Sequence, residues 1–375
     1  MSVTDGLRLL FVFIFESPFA SLRLRERMAA FGYHAQVACR ASVCRRFLLG
    51  LLACAGGCSG FDVVNALTPA GGVTRLSDIP YGRLPRQRLD VYLPDHRPPE
   101  TRPLTRGVIV FFYGGGWVNG RKADYRFVGR TLARRGYTVV LPDYRLAPAV
   151  RFPAFVEDAA AAVTWAHAHR DELVGRWPPV TTPADEPRPP LFLVGHSAGA
   201  HLALLVTLDP AYLRALGLPR GIIAGTVGVS GPYRYVPAGE DAGLLTLDPG
   251  PAARSAAARR FAPLFVARDL PPTLPPLPPP PPVLLLHGTA DRTVPADEAL
   301  ELADALRDAG ASVEVRLYPR TGHITPALSL AEPFKHLTPT LRDVQAFTRS
   351  EVVTEHVESK RHQDEERTEV DPDRK

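Results

Sequence analysis

The run Leu191-Phe192-Leu193-Val194 leads directly into Gly195-His196-Ser197-Ala198-Gly199-Ala200, and it constrains the fold more than any other stretch of the chain. Four consecutive apolar residues predict a strand buried on both faces, and Ala198 to Leu205 is a good helix-forming segment. Ser197 therefore stands on a sharp strand-to-helix turn. Gly195 and Gly199 suit a place where strand and helix approach too closely for a Cβ, and where the turn forces strained dihedrals on its apex. Such a turn lifts the serine hydroxyl clear of the sheet. It also aims the Ala198 amide, at the helix N-terminus, toward a developing oxyanion.

The same alternation of strand and helix recurs along the chain. Val108 to Phe112 is a second apolar run, ending in Tyr113-Gly114-Gly115-Gly116-Trp117, and a helix bearing Phe127, Val128 and Leu132 follows, stopped by Gly136. Tyr137 to Leu141 is a third buried strand, leading into Pro142-Asp143-Tyr144-Arg145-Leu146-Ala147-Pro148. From Pro153, the residues Phe155, Val156, Ala159, Ala160, Val163 and Ala166 recur at helical spacing. Ile222 to Val229 and Val283 to Leu286 read as further strands. The helix opened by Pro295 and the strand Val313 to Tyr318 come next, and Thr338 to Phe347 closes the pattern. Alternation of this kind predicts an α/β fold, a parallel sheet with helices on both faces. Before it, residues 61–106 are turn-rich, and within them Arg88 to Leu93 alternates as an antiparallel edge strand would. Residues 231–269 show no clean period, and Pro271 to Pro282, with nine prolines among twelve residues, predicts a stiff extended lead-in to the next strand.

The chain divides by composition into a leader over 1–58, an α/β domain over 61–350 and a charged, disordered tail over 351–375. The formal net charge is +5, but residues 1–57 hold seven arginines against Asp5, Glu16 and Glu26, so the basic balance belongs to the leader and gives no nucleic-acid surface. In that leader Arg45-Arg46 precedes Phe47 to Ala53 and then small residues, the order of an export signal too short to span a bilayer in comfort. Met28 offers an alternative start that gives a leader of ordinary length. All four cysteines lie here, so the remainder can form neither a disulfide nor a cysteine-ligated metal site. Cys58 and Cys54 sit after small residues, as in a lipobox. The leader thus predicts a membrane-anchored lipoprotein, with a periplasmic or secreted protein as the alternative.

Ser197, Asp291 and His323 occur in the order nucleophile, acid, histidine, each just past the C-terminal end of an expected strand. In an open parallel sheet those ends share one edge, where ligands bind. A serine hydroxyl needs a histidine to take its proton and return it to the leaving group, and a carboxylate to hold that histidine in the right tautomer. The amides of Gly114 or Gly115, opposite that of Ala198, supply an oxyanion hole. If Asp291 is not the acid, Asp297 or Glu298 is next in line. His196 and His287 read as structural residues of strand ends, while Tyr113, Trp117 and Tyr144 are candidates for lining a substrate pocket or for packing.

Gly114-Gly115-Gly116-Trp117, Asp143-Tyr144-Arg145-Leu146-Ala147-Pro148, Gly195-His196-Ser197-Ala198-Gly199, His287-Gly288-x-x-Asp291 and Gly322-His323 together resemble the α/β-hydrolase fold. Within it, the likeness is to hormone-sensitive-lipase-like and feruloyl/acetylxylan-type esterases, and it covers roughly Arg88 to Arg349. The resemblance implies an eight-stranded, mostly parallel sheet and a two-step serine esterase using no metal or cofactor, with a small-molecule ester, short in its acyl part, as substrate. Tyr113 departs from the lipase branch, which usually has histidine before the glycines. An amidase or formamidase with the same triad is the alternative enzyme, and a catalytically silent binding lipoprotein is the alternative outside enzymes.

Overall fold

The computed structural model describes residues 59–95, 106–173, 188–244, 251–270 and 280–350. The leader with Cys54 and Cys58, most of the 176–190 loop, residues 271–279 of the proline run and the charged tail lie outside the described residues. The chain divides into two compact units, 1–67 and 68–375. In the first, the helix Gly60–Leu67 is opened by a reciprocal cap. The Asp62 amide donates to Ser59 Oγ at 3.3 Å, and the Ser59 amide donates to Asp62 Oδ2 at 2.9 Å.

In the second unit, the described residues form eight strands: β1 (Val73–Pro80), β2 (Arg88–Pro94), β3 (Val108–Phe112), β4 (Thr138–Pro142), β5 (Leu191–His196), β6 (Gly225–Val229), β7 (Val283–Gly288) and β8 (Val313–Tyr318). They make one sheet in the order β1-β2-β4-β3-β5-β6-β7-β8. The pairs β1/β2 and β2/β4 are antiparallel, and every other pair is parallel. Strands β3 to β7 are buried along their whole length, as their mainly apolar sequences require, and each large apolar side chain so covered contributes about 1.5–3 kcal/mol.

Helices cover both faces, and the register shows which helix lies on which. Tyr92, Val139, Ile109, Phe192 and Gly225 are successive partners across β2, β4, β3, β5 and β6, so their side chains share a face. Gly129 of the helix Arg126–Ala133 lies against the Tyr92 ring at one end of this row, and Phe347 of the helix Thr340–Phe347 lies against Gly225 at the other. The opposite parity carries Thr226, whose hydroxyl meets that of Thr207 at 2.7 Å on the helix Ala198–Leu208. On that side Leu204, Leu264, Leu302 and Leu306 pack with Val283 and Leu285 into one cluster.

Arg88 to Leu93 corrects the expectation of an edge strand. It is antiparallel, but β1 lies outside it and takes the edge. The sequence hides β1 because its side chains are mostly exposed and its pairing is irregular between Leu76 and Ile79, where Asp78 has φ 58°. A charged cluster compensates. Asp90, fully buried, accepts from Arg75 at 2.7 Å, from Lys122 Nζ at 2.7 Å and from the Asp78 amide at 3.1 Å, while Lys122 also reaches the Asp78 carboxylate.

Chain direction fixes where a site can form. From β3 the chain moves outward to β4, then crosses back to β5 and continues the other way through β6, β7 and β8. The loops leaving β3 and β5 therefore diverge, and the crevice between them opens at the C-terminal ends of these two strands.

Candidate active site

The apex of that crevice is Ser197, with φ 53° and ψ −123°, a conformation that side chains other than glycine rarely adopt. Its neighbours explain the motif. A Cβ on Gly195 would lie 2.2 Å from the Gly199 carbonyl oxygen, and one on Gly199 would lie 2.1 Å from that of Phe112. Only glycine at both positions lets helix and strands close over the turn. The Ser197 amide donates to the Val229 carbonyl at 2.9 Å, tying the turn to β6.

Ser197 Oγ is 2.9 Å from His323 Nε2, and His323 Nδ1 is 2.8 Å from Asp291 Oδ2. Asp291 Oδ1 accepts from the amides of Thr293 and Val294, both at 2.9 Å. Burial acts to raise the Asp291 carboxyl, but hydrogen bonds from His287 and His323, the neighbouring imidazole charge and the Val294 amide together hold it well below the usual carboxylate range. The three residues named from the sequence thus meet in one continuous hydrogen-bonded line. Asp297 and Glu298 take other partners: Asp297 pairs with Arg234, and Glu298 accepts the amides of Tyr233 and Arg234 at 2.8 Å.

The acid and base loops are laced by backbone. The Thr289 amide donates to the Tyr318 carbonyl at 2.9 Å and that of Ala290 to the Thr321 carbonyl at 3.0 Å. A Cβ on Gly288 would meet the Thr321 carbonyl at 2.1 Å, which is why glycine follows His287.

Opposite them, the loop after β3 needs correction in one member. The Gly114 amide donates to the Tyr125 hydroxyl at 3.4 Å. Among the described residues the amides of Gly115, Gly116 and Ala198 have no protein acceptor, so Gly116 joins Gly115 and Ala198 as an oxyanion-hole candidate in place of Gly114. Motif spacing alone could not choose among three consecutive glycines.

Tyr113 and Tyr144 are not pocket-lining residues. Both are fully buried, stacked at 4.5 Å, and the Tyr144 hydroxyl donates to the Tyr113 carbonyl at 2.8 Å. The Tyr113 hydroxyl accepts from Arg86 at 2.8 Å, and Arg86 also reaches the carbonyls of Gly120 and Tyr144, each at 2.8 Å. A residue from the β1–β2 connection therefore clamps both ends of the glycine loop, and the tyrosine before the glycines provides its anchor. Trp117, 5% exposed, is packed as well: it lies 5.7 Å from Tyr235 in a stack and 5.1 Å from Phe261, and Nε1 donates to His201 Nδ1 at 3.3 Å. His201 Nε2 in turn donates to the Phe261 carbonyl at 2.6 Å, and burial pushes this imidazole down to about 3.

Two histidines read as structural both touch the triad. His196 Nε2 donates to the His323 carbonyl at 3.3 Å, and its Nδ1 accepts from the Tyr125 hydroxyl at 2.9 Å. Burial, with the nearby His323, pushes His196 down to about 3, so it stays neutral and this direction of bonding is fixed. Gly114, Tyr125, His196 and the His323 backbone form a one-way chain linking the oxyanion loop to the base. His287 Nε2 lies 3.2 Å from Asp291 Oδ2. Among the described residues no group of three or more histidine, cysteine, aspartate or glutamate side chains could hold a metal ion, and no helix is long and apolar enough to cross a membrane.

Known proteins resemble this chain in sequence and in fold. The chain is 32% identical over 261 residues to a probable isoprenylcysteine alpha-carbonyl methylesterase of Oryza sativa, covering 66% of this chain and 58% of that protein. It is 30% identical over 265 residues to esterase LipC of Mycobacterium tuberculosis, covering 65% of this chain and 58% of the relative. The chain thus spans somewhat over half the length of these curated relatives. A kynurenine formamidase of Danio rerio is 32% identical over 131 residues, 35% of this chain and 38% of that one. Among solved structures, esterase B from Lactobacillus rhamnosis superposes with a TM-score of 0.59 at 19% identity, covering 87% of this chain and 97% of that one, a likeness of fold. The family described as alpha/beta hydrolase fold matches residues 109–326, from the second residue of β3 to just past His323 and so across the nucleophile, acid and base loops. The chain belongs to the alpha/beta hydrolase fold family.

Proposed function

We propose that this chain is a serine carboxylic-ester hydrolase that works through an acyl-enzyme. The observation that carries the reading is the unbroken line from Ser197 Oγ through His323 to Asp291, at 2.9 and 2.8 Å, on a strained turn beside amides without an acceptor. Ser197 Oγ attacks the ester carbonyl as His323 Nε2 takes its proton. Asp291 keeps the Nδ1 proton in place and stabilises the imidazolium that forms. The amides of Gly115, Gly116 and Ala198 receive the charge on the carbonyl oxygen, and His323 returns the proton to the leaving alcohol. Water, activated by the same histidine, then releases the acid. Relatives named as esterases support the ester class. Trp117, directly after the glycines, is packed against His201, Phe261 and Tyr235, and this closed aromatic cluster next to the oxyanion loop supports a short acyl part.

Hydrolysis of p-nitrophenyl esters from acetyl to palmitoyl, with Ser197→Ala as the blank, tests this. Rates that peak at acetyl or butyryl and vanish in the variant are expected; hydrolysis retained by Ser197→Ala sinks the assignment of the nucleophile. The formamidase relative favours a second reading, cleavage of an activated amide by the same triad, and matched ester and amide substrates separate the two. The leader's sequence order supports export with lipidation at Cys58 or Cys54, tested by fatty-acid labelling of the whole chain with each cysteine changed to serine.

A further inference from the structure

Asp291 Oδ2 lies at the meeting point of two imidazoles. His323 Nδ1 approaches it at 2.8 Å and His287 Nε2 at 3.2 Å. His287 Nε2 also faces the Val294 carbonyl at 3.0 Å. An ionised carboxylate oxygen and a backbone carbonyl both only accept, so the proton between them must sit on His287 Nε2. The other ring nitrogen agrees. His287 Nδ1 is buried with no hydrogen-bond partner, a condition that a bare lone pair tolerates and a buried N–H does not. The tautomer is thus set by the protein: Nε2–H donates to the Val294 carbonyl at 3.0 Å and is shared toward Asp291 Oδ2 at 3.2 Å, and Nδ1 is bare.

The carboxylate is consequently held from four directions. Oδ1 takes the Thr293 and Val294 amides, while Oδ2 takes His323 and His287. His287 and Asp291 are four residues apart across the end of β7, and both side chains are completely buried. A histidine at this point places a donor where no backbone amide reaches, on the same oxygen that holds the base.

We propose that His287 is a positioning residue for the hydrolytic triad, whose Nε2–H shares Asp291 Oδ2 with His323, fixing that oxygen and tempering the negative charge the base experiences. The proposal rests on the hydrolase reading above. The titratable groups that face the pair are His287 from the end of β7 and His196 from the end of β5, and His196 remains neutral because burial, with His323 beside it, holds it down to about 3. A donor dipole aimed at Oδ2 puts its positive end near His323 and opposes protonation there. Removing the donor moves the acid limb of activity to higher pH.

The test compares kcat/KM profiles on p-nitrophenyl acetate for the full chain, His287→Gln, which keeps a donor at nearly the same reach, and His287→Met, which matches glutamine in length without one. His287→Leu serves as the donorless variant if the methionine protein does not fold. Alongside, the downfield proton on His323 Nδ1, identified by its loss in Asp291→Asn, is titrated by NMR. His287→Met is expected to raise both the acid limb and the NMR midpoint by about half a unit to one unit and to lower kcat about tenfold, with His287→Gln close to the original. An unmoved or lowered midpoint in the donorless protein, or equal displacement in both variants, overturns the proposal. If the unaltered protein shows no Ser197-dependent turnover, the hydrolase reading fails, and the NMR titration still decides the role of His287.

Discussion

On one flank of Ser197 the glycine loop is held by side chains that arrive from elsewhere in the chain. Arg86 clamps its two ends, and Tyr125 takes the Gly114 amide while donating to His196. On the other flank the loops after β7 and β8 are laced to each other by backbone bonds, with Gly288 permitting the close approach. Backbone lacing needs little beyond two parallel neighbouring strands and a glycine. Side-chain clamping needs particular residues at long sequence separation, and it can be loosened one residue at a time.

The sharpest way to stress this contrast is Asp291→Asn on the laced flank. The amide would favour the wrong imidazole tautomer while leaving the backbone intact, so turnover is expected to fall by about four orders of magnitude. A rate within tenfold of the original would move the acid elsewhere. On the clamped flank, Arg86→Met should release the loop ends without removing an oxyanion donor. A loss of about tenfold in kcat with KM nearly unchanged is expected, short of the hundredfold or more that follows removal of a donor itself. If kcat is unaffected, Arg86 does not hold the loop and the contrast collapses.

Acid provides a milder probe that reaches the two flanks at different pH. His196 and His201 are buried neutral on the clamped side, burial pushing each down to about 3, whereas in an unfolded chain each titrates near about 6.5. Between those values the unfolded state binds protons that the folded state refuses. The stability from their burial is complete above about pH 6.5 and is lost as pH falls, with a limiting slope of about 1.4 kcal/mol per unit for each histidine. Asp291, held low in the folded protein, adds a loss of the same sign only below about pH 4, where an unfolded carboxylate protonates. The urea midpoint should therefore drop between pH 7 and pH 5, and His201→Gln should flatten that drop. Equal midpoints at the two pH values in the unaltered protein would contradict it.

The two flanks also differ in how much of them was legible in the sequence. Ser197, Asp291 and His323 each follow an apolar strand run, and a strand end is a local signal, so their convergence could be expected once a parallel sheet was inferred. The glycine loop was legible as a motif but not in its workings. Nothing local marks Gly114 as engaged by Tyr125, or Tyr113 as the anchor of Arg86, because those partners are 11 and 27 residues distant. Strand β1 was missed for a related reason: it exposes most of its side chains and is held through Asp78, Asp90 and Lys122 rather than by an apolar face. His287 was passed over because a histidine at a strand end has no period to betray it, and only the fold brings it to Asp291.

Lys122 gives the β1–β2 flank a property of a different kind. The whole chain has four lysines, Lys122, Lys335, Lys360 and Lys375, and the Lys122 ammonium is closed off, 8% exposed and bonded to two carboxylates. An amine-reactive reagent meets Lys335 readily, since that side chain is about half exposed, but it can acylate Lys122 only when the outer hairpin lifts away. The modification rate at this one nitrogen is thus a clock for the opening of the flank that carries Arg86, readable by mass spectrometry in the unaltered protein.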